Sequence, residues 1–363
     1  MPALRELLID AVRRGVSDVH IKAGGPPFFR ISSQLTAMES PAWSGEDLAD
    51  TLRRILPEHL RIRFQECREA DFSLMEPGCG RFRVNAFQSG EALNLVLRHV
   101  PSFIPTIESL NLPPFLKTLA HEPRGIILAC GTTGSGKSTS LAAILNEINH
   151  TERRRIITIE DPVEFQFTDD QCLISQREIG TDTRSFPDAL KHVLRQDPDV
   201  IMIGEMRDVE TFQAALSAAE TGHIVFSTLH AGTAAQAIPR ILDMCPSSER
   251  ESMRAALAES IRCIFCQRLI PSVRGGVRPA VEIMTGSPTV RKMIHLNQLE
   301  RLQDAIETGA DDHMQTFNQS IYQLIRKAEI SEADGMRFAG NPESLKMNLK
   351  GIFLDESRRI LSK

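Results

Sequence analysis

The segment Gly131-Thr132-Thr133-Gly134-Ser135-Gly136-Lys137-Ser138 constrains this chain more than any other. It matches G-x-x-x-x-G-K-[ST] in full, with an apolar strand, Gly125–Cys130, before it and a helical pattern, residues 137–149, after it. A fortuitous glycine-rich turn would not need both flanks. The glycines let backbone N–H groups wrap phosphates, and the helix N-terminus adds partial positive charge. Lys137 is placed to reach the β/γ-phosphates and the Ser138 hydroxyl to ligate Mg²⁺. These residues, with the next one, Thr139, form the expected binding set for ATP and Mg²⁺.

The pattern around this loop repeats. Apolar strands are expected at residues 125–130, 155–159, 199–203 and 223–228, with helices at 137–149, 185–195 and 208–220. Buried parallel strands crossed by helices read as an α/β fold. Upstream the chain reads differently. An amphipathic helix over 2–14 precedes a short strand, Asp18–Lys22, and a hairpin over 28–38. Ser44 opens a second helical pattern, and alternating strands follow at 70–75, 80–88 and 91–99. This is α+β and mostly antiparallel. Pro101, Pro105, Pro113 and Pro114 mark a linker with one short helix over 115–121. After about residue 286 the pattern is nearly all helical, ending in a basic tail of Lys346, Lys350, Arg358, Arg359 and Lys363. The expected division is 1–100, 101–122, 123–286 and 287–363, consistent with about two domains for 363 residues.

Composition narrows the partners. A formal charge of −5, one Trp and one Tyr argue against bulk nucleic-acid binding, and a local basic groove stays open. No apolar run approaches the roughly 18 residues that span a bilayer, and residues such as Arg5, Glu6 and Asp10 do not suit a signal peptide. Seven scattered cysteines, an odd number, argue against a disulfide framework and for a reducing cytoplasm. Cys263 and Cys266 form a C-x-x-C pair without the second pair that structural zinc needs. They fall in a helical pattern, residues 253–269, and read as small apolar residues near a helix seam.

Acidic residues follow two of the expected strands, at carboxyl ends that face the ligand crevice in such sheets. Glu160, Asp161 and Glu164 follow the first and can hold Mg²⁺ waters or orient an attacking water. The second, Val200-Ile201-Met202-Ile203-Gly204-Glu205, looks like a Walker B strand with glycine where the Mg²⁺ aspartate usually stands. Glu205 can then polarise water for attack on a γ-phosphate, and metal duty shifts toward Glu160 and Asp161. Asp197 and Asp199 read as turn residues, and Arg207 and Asp208 as a local pair and a helix cap. His223 and His230 bracket the strand at 223–228. His230, at the carboxyl end, can hydrogen-bond a γ-phosphate, whereas His223 suits a structural or subunit contact.

In that order, GTTGSGKST, TIEDPVEF, GEMRD and AAETGHIVFSTLH resemble the Walker A, Asp box, atypical Walker B and His box of the secretion ATPase superfamily. The type IV pilus retraction ATPase family, of PilT/PilU type, is the nearest resemblance. SDVHI with its GGPP turn, and GRFRVNAF, are similar to that family's PAS-like N-terminal domain. The resemblance covers about residues 4–330. It implies a RecA-like P-loop ATPase domain with a smaller PAS-like domain before it and a helical part after it. It further implies a cytoplasmic homohexamer, peripheral at the inner membrane, that hydrolyses ATP beneath a pilus platform protein. No nucleic acid and no lipid anchor of its own are expected. Arg83 and Arg98 match family arginines that act in trans on the next subunit's γ-phosphate.

Two stretches depart from the retraction pattern. The family's AIRNLIRE-like segment corresponds to Thr289–Leu296 by position, where His295-Leu296 replaces the closing Arg-Glu. Residues 313–348 are more similar to the PilU-type accessory paralogue. Two alternatives therefore stand: a pilus-assembly or type II secretion ATPase, and an accessory subunit of a paralogous motor with little hydrolysis of its own. The long N-terminal extension and tetracysteine module usual in assembly and type II enzymes are not seen, which favours retraction.

Overall fold

Strand alternation builds the amino-terminal part. In the computed structural model, which describes residues 4–31, 34–100 and 103–352, the chain forms two units. One comprises Met1–Phe103 with Pro162–Gln166, and the other Ile104–Asp161 with Phe167–Lys363. Arg358, Arg359 and Lys363 of the basic tail lie outside the described residues.

The first unit holds β1 (Asp18–Lys22), β2 (Phe28–Ile31), β3 (Gln34–Ala37), β4 (Glu69–Glu76), β5 (Gly80–Ser89) and β6 (Ala92–Val100). They form one antiparallel sheet in the order β3-β2-β1-β6-β5-β4. Phe82, Val84 and Ala86 on β5 and Leu93, Leu95 and Leu97 on β6 turn inward. They pack with Leu8, Phe29, Trp43 and Leu48 into one core. Helix Gly45–Ile55 begins where Ser44 accepts a hydrogen bond from the Asp47 amide, a cap worth about 1 kcal/mol. Helix Arg61–Cys67 was not expected. It buries no side chain and has no side-chain cap, so its sequence carries no apolar stripe.

The second unit holds β7 (Gly125–Cys130), β8 (Arg155–Glu160), β9 (Leu173–Glu178), β10 (Val200–Ile203), β11 (Ile224–Leu229), β12 (Ile261–Pro271) and β13 (Val277–Thr285). Their order is β13-β12-β7-β11-β10-β8-β9, parallel except for the β12–β13 hairpin. This is the expected α/β arrangement. β7, β10 and β11 are buried on both faces, as continuous apolar runs require. β10 starts one residue after Asp199, whose carboxylate accepts a hydrogen bond from the Arg155 amide at 2.7 Å.

The helical reading of residues 253–269 is wrong. Helix Arg250–Ser260 stops at Ser260, and Cys263 and Cys266 lie on β12. Ile261, Cys263, Ile264, Phe265 and Cys266 are buried between β7 on one side and β13 on the other. A strand buried on both faces shows no alternation, and here it directly follows a true helix, so the periodic pattern ran on. Both cysteines are free, and burial pushes both thiols up. Residues 288–349 add further helices, among them Pro288–His295, Phe317–Arg326, Glu332–Phe338 and Pro342–Leu349. Among the described residues, no helix is long and apolar enough to cross a membrane.

Candidate nucleotide-binding site

Between β7 and helix Lys137–Thr151 the backbone takes conformations open mainly to glycine: φ is 142° at Gly131, 78° at Gly134 and 89° at Gly136. Thr132, Thr133 and Gly134 are exposed, Ser138 and Thr139 half-buried. Lys137 is buried, and its Nζ donates to the Gly131 and Thr132 carbonyls at 3.1 and 2.9 Å. The Ser135 hydroxyl is buried without a hydrogen-bond partner among the described residues.

Sequence reasoning missed what holds this loop. Gln267, on β12, accepts a hydrogen bond from the Ser140 hydroxyl at 2.7 Å. A Cβ added at Gly131 would lie 2.5 Å from Ser135 Oγ and 2.7 Å from the Gln267 carbonyl oxygen. One added at Gly136 would lie 2.7 Å from Gln267 Nε2. The only sequence trace of Gln267 is a polar residue inside an apolar run. Gly131→Ala should therefore reshape the loop and weaken nucleotide binding about tenfold or more, because strain and overpacking each cost a kcal/mol or more. Titration with a fluorescent nucleotide checks this, and unchanged affinity in a folded variant would count against the loop geometry.

Three parallel strands deliver the remaining polar groups. β11 lies directly between β7 and β10, so His230, just past β11, emerges between the phosphate loop and Glu205. Glu205 pairs with Arg207 at 2.7 Å and its side chain is 17% exposed. Asp208 caps helix Val209–Glu220 through the Thr211 amide at 2.8 Å. The β11 hydroxyls lace this turn down: Ser227 donates to the Ile203 carbonyl and Thr228 to the Gly204 carbonyl, at 2.7 and 2.6 Å. Partial loss of water around the largely exposed His230 imidazole, with Lys137 close by, lowers its pKa from the ordinary range, and Glu205 only partly opposes this. The ring is thus kept neutral, able both to donate and to accept. His223 bonds the Ala218 carbonyl at 2.9 Å, a local structural contact.

Glu160 is buried at the end of β8, where its carboxylate accepts from Thr158 Oγ1 at 2.6 Å and Gln176 Nε2 at 3.1 Å. Asp161 is exposed. Glu164 is exposed too, in the segment that groups with the amino-terminal unit. Among the described residues, no three His, Cys, Asp or Glu side chains cluster to hold a metal ion by themselves. The donors on offer are one hydroxyl, Ser138, and carboxylates at a strand end. They suit a hard cation that arrives with phosphates and water.

The type II/IV secretion system protein family model matches residues 1–325. The chain belongs to this family. It is 40% identical to the type IV pilus retraction ATPase PilT of Pseudomonas aeruginosa, over 94% of this chain and 99% of that protein. It is 38% identical to the type IV pilus ATPase PilU of the same organism, over 95% and 91%. Among solved structures, that of the pilus retraction motor PilT with bound ADP superposes with a TM-score of 0.88 at 39% identity, covering 94% of this chain and 98% of that one.

Arg83 and Arg98 sit in the first unit. Arg83 on β5 and Arg98 on β6 are direct cross-strand neighbours on the outward face. Like charges placed directly opposite destabilise a sheet, so this pairing asks for an anion. Asp18, opposite Arg98 on β1, accepts from its Nε at 2.7 Å, and Asp71 lies 3.9 Å from Arg83. Burial pushes the Asp18 carboxyl up, but bonds from Arg98 and Ser17 more than offset this and hold it low. Arg83, Arg98, Asn85, Asp18 and Asp71 line a cleft of about 330 Å³. In helix Pro288–His295, Val290 and Ile294 are buried, while His295, its last residue, and Leu296, just past its end, are exposed.

Proposed function

We propose that this chain is the subunit of a homohexameric, cytoplasmic ATPase that drives type IV pilus retraction through an inner-membrane platform protein. The observation that carries this reading is the convergence of Lys137, Glu205 and His230 at the carboxyl ends of the adjacent strands β7, β10 and β11. Near-full-length similarity to a retraction ATPase supports the choice of pilus work.

In the proposed mechanism the glycine loop, residues 131–139, takes the phosphates on backbone N–H groups, and Lys137 Nζ turns from the Gly131 and Thr132 carbonyls to the β/γ-phosphates. Ser138 would hold Mg²⁺, with Glu160 and Asp161 reaching it through water, and the cation would supply positive charge against the phosphates. Glu205 accepts a proton from the attacking water, and Arg207, its present partner, fixes the carboxylate. Glu164 is a second candidate for that role. His230 hydrogen-bonds the γ-phosphate and reports its loss. Arg83 and Arg98 supply charge to the transition state from a neighbouring subunit. We assign residues 1–100 to a PAS-like domain, 101–122 to the linker, 123–286 to a RecA-like core and 287–363 to a helical carboxyl-terminal part.

Glu205→Gln tests the chemistry. It keeps the shape and removes the base, so ATP affinity should stay within a few-fold while turnover falls about 10²–10⁴-fold. Normal turnover in this variant, with loss in Glu164→Gln, would move the base to the acidic loop. A second reading, an accessory subunit of a paralogous motor, rests on the exposed His295-Leu296 pair and on the 38% identity with PilU. Assaying the isolated protein for hydrolysis with and without a paralogue separates the two.

A further inference from the structure

The strand that braces the phosphate loop with Gln267 turns its next residue, Arg268, to the opposite face. There Arg268 Nη2 donates to the Gly232 carbonyl at 3.3 Å, two residues after His230. Its Nη1 donates to the Phe338 carbonyl at 2.6 Å, and its guanidinium lies over the Phe317 ring, 3.8 Å from the centroid. One side chain thus holds the loop after β11 and two carboxyl-terminal helices.

Glu282, on β13, does the same with opposite charge. It is 2% exposed, and its Oε1 accepts from the Ala234 amide at 2.7 Å, the first residue of helix Ala234–Met244. The Phe317 amide, at the start of helix Phe317–Arg326, and Gln303 also bond to it, and Arg268 attracts it. Helix Phe317–Arg326 is further fixed to β13 by Ser320 Oγ, which accepts from the Val281 amide at 3.1 Å. A cleft of about 290 Å³ adjoins both charges.

Arg268 and Glu282 attract each other without a direct ion pair. Burying charges in this way is a poor way to gain stability, since apolar residues of similar size often do as well, and registry or switching is its best-attested use. Here the partners of both charges are mainly backbone groups of two segments far apart in sequence, so shifting one segment strains the contacts of the other. We propose that Arg268 and Glu282 are positioning residues that join the His230 loop to the carboxyl-terminal helices, so that nucleotide state and helix arrangement change together. This rests on the reading of His230 as a γ-phosphate contact. ADP, lacking that phosphate, should not engage the joint, whereas ATP should.

The test uses the full chain with Arg268→Lys, which keeps the charge and loses the fork, and Glu282→Gln, which keeps the shape and loses the charge. Hydrogen exchange of residues 317–338 is read with ADP and with a non-hydrolysable ATP analogue, beside ADP affinity and ATP turnover. In the wild type the two nucleotides should protect these helices differently. In both variants that difference should vanish and turnover fall about tenfold, with ADP affinity kept within about twofold. Three results would overturn the proposal: a wild type whose helices ignore the nucleotide, folded variants with wild-type turnover, or parallel loss of ADP affinity and turnover, which marks a merely structural role. His230→Asn, assayed in parallel, separates the premise from the joint. Wild-type turnover and an intact ATP–ADP exchange difference there would sink the γ-phosphate reading while leaving the joint itself to the two other variants.

Discussion

Lys137→Ala is expected to lower ATP turnover about 10²–10³-fold or more, the loss typical when a preorganised charge stabiliser is removed. The buried ammonium bonds two loop carbonyls at about 3 Å. Thr132 is exposed, so water can replace the lost donor there, and the loop should persist. The strands around it are fully buried and independent of Lys137, so the fold should survive. Circular dichroism and nucleotide titration separate the two effects. A folded Lys137→Ala protein that hydrolyses ATP at the wild-type rate would contradict the phosphate-loop assignment.

How much of this was legible in the chain depended on burial. The apolar runs of β7, β10 and β11 are short and bounded by Gly, Asp or His, so their ends, and with them Lys137, Glu205 and His230, could be placed from residues alone. The same double burial hid β12, because its run follows a helix without a break. With β12 went Gln267 and Arg268, whose partners, Ser140 and Gly232, lie far away in sequence. Glu282 was invisible for a related reason: its partners are mainly backbone amides, which no residue pattern marks. β9 escaped because, at the sheet edge, it alternates Leu173, Ser175 and Arg177 with Ile174, Gln176 and Glu178 without a clean apolar face. Arg83 and Arg98 could be placed on adjacent strands, but only the register shows them directly opposite.

That register leads to the second large effect. Arg98→Ala should leave the first unit folded, because Arg98 lies on the outward face and the β6 core residues are untouched. It removes one of two guanidiniums from the cleft and takes from Asp18 the larger of the two bonds that lower its carboxyl, leaving the Ser17 hydroxyl and Arg30 beside it. If the arginine faces a γ-phosphate, turnover should fall about 10³-fold or more, as for other arginines that complete such sites. Nucleotide affinity should change little, because the arginine acts on charge that develops in the transition state.

Whether each site is completed by a neighbouring subunit is tested most directly by mixing variant subunits. Arg98→Ala and Lys137→Ala subunits should each be inactive alone. In rings assembled from equal amounts of both, roughly one interface in four pairs an intact arginine with an intact phosphate loop. Turnover should therefore partly return, and its rise on diluting either variant with wild-type subunits should follow the count of intact interfaces. Mixed rings that stay inactive, while that dilution curve shows isolated intact interfaces to be active, would contradict completion of the site by a neighbour.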